Sequence, residues 1–269
     1  MSDFHLPPED WETVKLITDP AAPQEKHGIV VNDGFRFLCL GESGSGKTTL
    51  ERAVVYMTIA RGFAKFALIH DTKGIFPEFP QSYQVTNVSE FISRGGFPKG
   101  QKLVSFRGDA RRDVECPPEE VAAFSMMLAQ KGRVDPVTGL WHPVPHCTLI
   151  EEVAEAATGG GKHLNSPSVF KLATQGRKMG VSLIGTTQMP GFVPLPLLAQ
   201  AQVIAFFRLT GNDANYLADR MKLNPDLVAA IRGPKNEGLP NFKYTLYVKG
   251  QTWDGKIRQL DKRTASMFE

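Results

Sequence analysis

The chain is poor in cysteine, in long apolar runs and in surplus charge. Its three cysteines, Cys39, Cys116 and Cys147, lie far apart in 269 residues and fit no metal-ligand spacing. Cys39 and Cys147 sit inside apolar, strand-like runs, so they read as small core residues of a reducing compartment rather than as a disulfide framework. No apolar run approaches the length of a bilayer span, and no basic-then-apolar leader opens the chain. A formal net charge of +3 permits a local nucleic-acid-binding patch without arguing for one. There are no internal repeats and no aromatic-rich platform for single-stranded nucleic acid. With 42% hydrophobic and 22% charged residues, the composition is that of a globular protein able to bury a sizeable core.

What is present is concentrated in eight residues. Gly41-Glu42-Ser43-Gly44-Ser45-Gly46-Lys47-Thr48 fits the phosphate-cradling pattern G-x-x-x-x-G-K-[ST]. The apolar run Phe35–Leu40 precedes it, short enough for a buried strand. Thr49 to Met57 follows with apolar residues at helical spacing. Glycines let successive backbone N–H groups turn inward around an anion, and the following helix adds its positive end. The expected nucleotide-binding residues are therefore Gly41 to Thr49. Lys47 reaches the β- and γ-phosphates of ATP, and Thr48 offers a hydroxyl to Mg²⁺.

Around this loop, strand-like and helical runs alternate. Strands are expected at Lys65–His70, Lys102–Phe106, His146–Ile150, Val181–Thr186 and Ala201–Phe207, and a helix from Pro117 through Met127. That alternation means a mostly parallel sheet covered on both faces. Tyr244–Val248 and Lys256–Leu260 flank a turn at Asp254-Gly255, so the segment at about 243–260 reads as a C-terminal antiparallel hairpin. Residues 1–28 are rich in proline and acid and read as an extended N-terminal arm or a partly disordered terminus, with Phe4, Leu6 and Trp11 as anchors. Residues 29–269 read as one domain.

A phosphate loop that hydrolyses needs carboxylates. The run ending in Ile150-Glu151-Glu152 places two where parallel α/β sheets bind ligands. Glu151 suits the Mg²⁺ shell and Glu152 a base polarising water. The same acids also suit the first turn of a helix through Val153–Ala157.

Four segments in order resemble the FtsK–HerA superfamily of P-loop DNA-translocating ATPases, over roughly residues 30 to 220. They are the phosphate loop, Asp71-Thr72-Lys73-Gly74 (similar to D-P-K-G), Glu151-Glu152, and Arg177-Lys178-Met179-Gly180 running to Thr186-Thr187-Gln188-Met189-Pro190. One departure is Glu151, where the family usually has Asp. The resemblance implies an α/β, RecA-like three-layer P-loop NTPase fold with ATP and Mg²⁺ as cofactors. It further implies Gln188 as a γ-phosphate sensor and Arg177 as an arginine finger acting across a subunit interface. Arg208 and then Arg36 are weaker finger candidates, and Asp71 would assist Mg²⁺ or water. Arg177 also suits a solvated helix end, and Asp71 a turn cap.

The glycine-rich stretch that follows the Glu151-Glu152 segment, Thr158 to Asn165, reads either as a surface connection or as a pore loop whose Lys162 and His163 follow a DNA backbone electrostatically. Lys99, Lys102, Arg107, Arg111 and Arg112, interleaved with acids, read as a solvated face. Without the accessory segments of its larger relatives, the chain looks most like the genome-packaging ATPases of tailless, membrane-containing icosahedral viruses. The resemblance thus implies a homo-oligomeric ring, such as a hexamer, moving double-stranded DNA and docking on capsid or membrane vertex proteins. Its place would be the host cytoplasm or the virion. The alternatives are a cellular or plasmid-borne DNA pump or helicase of the same superfamily, and a non-motor NTP-gated assembly factor.

Overall fold

The computed structural model describes residues 8–18, 24–26, 29–31, 34–72, 79, 81–109, 116–134, 136–137, 139, 141–158, 163–164, 166–233 and 237–266. Along the chain, α1 (Pro8–Thr18) is followed by the short strands β1 (Gln24–Lys26) and β2 (Ile29–Val31). β3 (Arg36–Leu40) enters the phosphate loop and α2 (Lys47–Ala60) leaves it. Then come β4 (Ala67–His70), β5 (Tyr83–Val85), α3 (Val88–Ser93), β6 (Leu103–Phe106) and α4 (Pro118–Gln130). The short β7 (Arg133–Val134) and β8 (Trp141–His142) lead into β9 (His146–Ile150). A 3-10 turn at Val153–Ala156 precedes β10 (Ala157–Thr158), β11 (His163–Leu164) and α5 (Pro167–Gln175). A second 3-10 turn, Gly176–Met179, enters β12 (Val181–Thr187). The remainder is α6 (Leu195–Gln200), β13 (Val203–Phe206), α7 (Gly211–Met221), α8 (Pro225–Arg232), β14 (Lys243–Val248), β15 (Arg258–Gln259) and α9 (Lys262–Ser266).

Nine strands form the main sheet in the order β15-β14-β13-β3-β12-β9-β4-β6-β5. From β13 to β5 every pairing is parallel, while β14 pairs antiparallel with both β13 and β15. This is the RecA-like, three-layer arrangement with an antiparallel C-terminal addition. Alternation along β3 explains the layers. Phe37 and Cys39 enter a core shared with α1 and α2, whereas Leu38 and Leu40 enter a second core shared with α4 to α8. A third cluster packs Phe91, Phe106 and Phe124 edge to face under α3 and α4.

The N-terminal segment differs from its sequence reading. Residues 8–18 are helical, not extended, and α1 buries Val14 and Ile17 against α2 while Trp11 packs at the margin. Pro8 followed by Glu9 and Asp10 is a helix-start signature, with proline in the first turn and acids at the positive end. Phe4 and Leu6 lie outside the described residues. Buried Asp10 accepts hydrogen bonds from Asp261 N at 3.1 Å and from Thr264 Oγ1 at 2.5 Å, and Tyr244 Oη donates to Thr13 at 3.0 Å. These bonds join α1 to β14 and α9, and both helices pack against α2.

Candidate active site

Register brings the ends of the parallel strands to one edge of the sheet. Thr187 lies opposite Leu40, Ile150 opposite both Gly185 and His70, and Phe106 opposite His70. The residues that follow these ends, Gly41, Glu151, Asp71, Arg107 and Gln188, therefore stand along one edge of the sheet, the edge at which open α/β sheets take ligands.

The phosphate loop is stitched to both neighbouring strands. Gly41 N donates to Thr187 O at 3.3 Å, and Glu42 N to Arg208 O at 3.0 Å. Gly44 and Gly46 have positive φ, 71° and 108°, the left-handed region open to glycine. Gly46 is required twice over, because a Cβ there would meet Phe242 Cδ1 at 2.9 Å and Phe242 Cα at 3.2 Å. Lys47 is 7% exposed and donates from Nζ to the Glu42 carbonyl at 2.9 Å. Ser45 is wholly buried, and its hydroxyl has no hydrogen-bond partner. A buried orphan hydroxyl in an amide-lined loop at the N-terminus of a 14-residue helix fits an anionic phosphate chain. Thr48 and Thr49 are partly exposed at the same helix start.

The two carboxylates after β9 have different surroundings. Glu151 is 3% exposed, and its Oε2 accepts from Thr72 N at 3.0 Å and Thr72 Oγ1 at 3.4 Å. Glu152 is partly exposed and has a backbone φ of 48°, an unusual conformation for a residue with a side chain. Its Oε1 accepts from Gln188 N at 2.8 Å and from Thr187 Oγ1. Thr187 is a partner that sequence reasoning passed over. The segment after the pair is a 3-10 turn, not an α-helix that the two acids could open.

Asp71 is 1% exposed and faces Arg107, whose Nε stands 3.6 Å from its Oδ2. Arg107 is therefore no part of a solvated basic face: its side chain is 12% exposed and bridges from Asp71 to Gln84. Arg111 and Arg112 lie outside the described residues. His70, just before Asp71, spans the carbonyls of Cys116 (2.9 Å) and Glu151 (3.3 Å), and burial lowers its pKa.

Thr48, Glu151 and Asp71 are hard oxygen donors, the type that Mg²⁺ takes. Among the described residues no cluster of three or more His, Cys, Asp or Glu stands at metal-holding distance. The donor set thus fits a divalent cation carried largely by nucleotide phosphates and water, with one hydroxyl and a carboxylate from the protein.

The arginines sort by position. Arg36 is 4% exposed and donates to the carbonyls of Ala173, Phe35, Val181 and Leu172 at 2.7–2.9 Å. It caps the end of α5 from inside, so it is structural and not a finger. Arg208 pairs through Nε with Glu42 Oε2 at 2.9 Å, on the phosphate loop of its own subunit. Arg177 lies in the turn entering β12, at the opposite edge of the sheet from Gln188. Seven residues of strand, at about 3.3 Å each, put it beyond reach of its own phosphate loop.

Of the DNA-contact candidates, Lys162 lies outside the described residues. His163 falls in β11, which pairs antiparallel with β10 at the base of that segment. Among the described residues no helix is long and apolar enough to cross a membrane.

The fold and the phosphate loop are those of the RecA-like P-loop NTPase architecture. No protein-family model matches the chain. No curated protein matches it. Solved structures do. The genome packaging NTPase B204 from Sulfolobus turreted icosahedral virus 2, in complex with sulfate, superposes with a TM-score of 0.60 at 17% identity, over 86% of this chain and 98% of that one. VirB4 of Thermoanaerobacter pseudethanolicus gives 0.58 at 8% identity, over 84% and 89%. The pCW3 conjugation coupling protein TcpA gives 0.50 at 15% identity, over 92% and 72%. The likeness is one of fold.

Proposed function

We propose that the protein is an ATP-driven translocase of double-stranded DNA, serving to package a viral genome into a capsid. The observation that carries the hydrolytic part is the joining of phosphate loop, Glu152 and Gln188 on one strand-end edge. In this reading the backbone of Gly41 to Thr49 cradles the phosphate chain and Lys47 neutralises its β and γ oxygens. Thr48, with Glu151 and Asp71, would hold Mg²⁺, which would supply charge neutralisation at the phosphate oxygens. Glu152 takes the proton of the attacking water while Gln188 reports the γ-phosphate through its exposed side chain. Arg177 acts on the nucleotide of a neighbouring subunit in a homo-oligomeric ring.

The DNA cargo and the packaging role are supported by fold likeness to a viral genome packaging NTPase and by the β10–β11 ladder at the base of the glycine-rich segment. A ring of such segments, each with Lys162, would follow phosphates irrespective of sequence. The ring would dock on capsid or membrane vertex proteins, in the host cytoplasm and then in the virion. A conjugation coupling protein has the same fold, so a plasmid-borne or cellular pump is the second reading.

The test is the ATPase rate with and without double-stranded DNA, for the wild type and Glu152→Gln. Stimulation by DNA that disappears in the variant is expected. An unstimulated rate, with function intact in the variant, would replace the motor by an NTP-gated switch. Finding the protein in purified virions would separate packaging from the second reading.

A further inference from the structure

A triphosphate on the Gly41–Thr48 loop has a direction. Its terminal phosphate must face the carboxylate that polarises water, and Glu152 stands with Gln188 on the β12 and β9 side of β3. The nucleoside then leaves on the other side, over β13 and β14. Phe242 stands at that exit. It directly precedes β14, its N–H donates to the Ser45 carbonyl at 2.8 Å, and its carbonyl accepts Leu260 N–H at 2.9 Å. Its ring lies against the phosphate loop, since a Cβ on Gly46 would come within 2.9 Å of Phe242 Cδ1.

Two further features set this ring apart from surface filling. It is 39% exposed although its backbone is tied at both ends. Its φ is 61°, a left-handed conformation that a bulky residue adopts only where its surroundings enforce it. Buried Phe207 also reaches Gly46 and stacks on Tyr244 at a centroid distance of 5.2 Å, which gives the platform a rigid neighbour.

We propose that Phe242 is the platform on which the nucleobase of the bound nucleoside triphosphate packs. This deepens, and rests on, the phosphate-loop reading above. An aromatic face holds any base by dispersion and exclusion of water, and a purine better than a pyrimidine through its larger face. It reads no base edge, so the preference it imposes is graded.

The experiment compares ADP with inorganic pyrophosphate, two ligands that share a diphosphate and differ by the nucleoside. Calorimetric affinities, with Mg²⁺ present, are measured for the wild type, Phe242→Asn and Phe242→Trp. Asparagine tolerates the left-handed backbone while removing the ring, and tryptophan keeps an aromatic face. The expected result is ADP binding weakened about tenfold in Phe242→Asn, with pyrophosphate changed less than twofold and ADP affinity restored in Phe242→Trp. Equal weakening of both ligands would overturn the proposal, because the ring would then only support the loop. Unchanged ADP affinity would overturn it too, placing the base elsewhere. If the wild type bound neither ligand, the nucleotide reading itself would fall and this one with it.

Discussion

Glu152 Oε1 accepts the backbone N–H of Gln188 at 2.8 Å, so the proposed base and the proposed γ-phosphate sensor are one hydrogen bond apart. Any displacement of Gln188 towards a phosphate moves the donor that holds Glu152. Replacement by glutamine keeps an acceptor oxygen for Gln188 N and Thr187 Oγ1 but cannot take a proton. Glu152→Gln should lower single-turnover hydrolysis by about 10²–10⁴-fold, with ATP affinity within a few-fold of wild type and the melting temperature nearly unchanged. Hydrolysis above a tenth of the wild-type rate would place the base on another residue.

The two left-handed glycines of the phosphate loop should respond differently to alanine. At Gly44 a Cβ meets nothing within 4 Å, so Gly44→Ala carries backbone strain alone, about 1–2 kcal/mol. At Gly46 the Cβ also runs into Phe242, ring and backbone, and overpacking adds roughly 1–3 kcal/mol. Urea unfolding should rank Gly46→Ala clearly below Gly44→Ala in stability. Equal losses would mean that Phe242 yields freely and does not define the loop.

Acid should weaken the fold through a buried histidine. His146 is fully buried; Val144 O accepts from its Nδ1 at 2.9 Å and Ser125 Oγ meets its Nε2 at 2.9 Å. Burial lowers its pKa to about 4. Below pH 6.5 the unfolded chain takes a proton that the folded chain refuses, so stability is full above that pH and declines as pH falls towards 4. The loss is on the order of 3 kcal/mol across the window. His70, lowered by burial as well, adds in the same direction. Chemical denaturation between pH 7 and 4.5 should show this slope, and His146→Gln should flatten it. A wild-type protein of constant stability over that range would contradict the assignment.

The sheet could be read from sequence because its central strands are buried on both faces. Arg36–Leu40 and His146–Ile150 are buried at every position, and short, mostly apolar runs announce such strands. Three features were not legible, each for a reason of distance. α1 buries Asp10 and Thr13 against Thr264 and Tyr244, partners more than 230 residues away, so its apolar stripe alone is thin. Arg107 looked like one cation among several until strand register set it against Asp71. Phe242 is a lone aromatic in a loop, and only the folded chain puts it on the phosphate loop. Arg36 shows the converse error, a strand arginine offered as a catalytic group that four backbone carbonyls claim instead.

The length of β12 makes the role of Arg177 testable by mixing. With the whole strand between Arg177 and Gln188, the proposed finger role requires that the guanidinium act on a nucleotide of another subunit. Arg177→Ala should therefore be inactive in its neighbour's site while keeping its own Glu152, and Glu152→Gln should be inactive in its own site while still supplying Arg177. Mixed one to one, the two inactive proteins should recover a fraction of wild-type ATPase, because some interfaces pair an intact Glu152 with an intact Arg177. The wild-type rate per subunit should also rise steeply with protein concentration, as assembly completes the sites. If the mixture stays as inactive as its components while the variants still co-assemble, Arg177 is a solvated turn residue and the finger lies elsewhere in the chain.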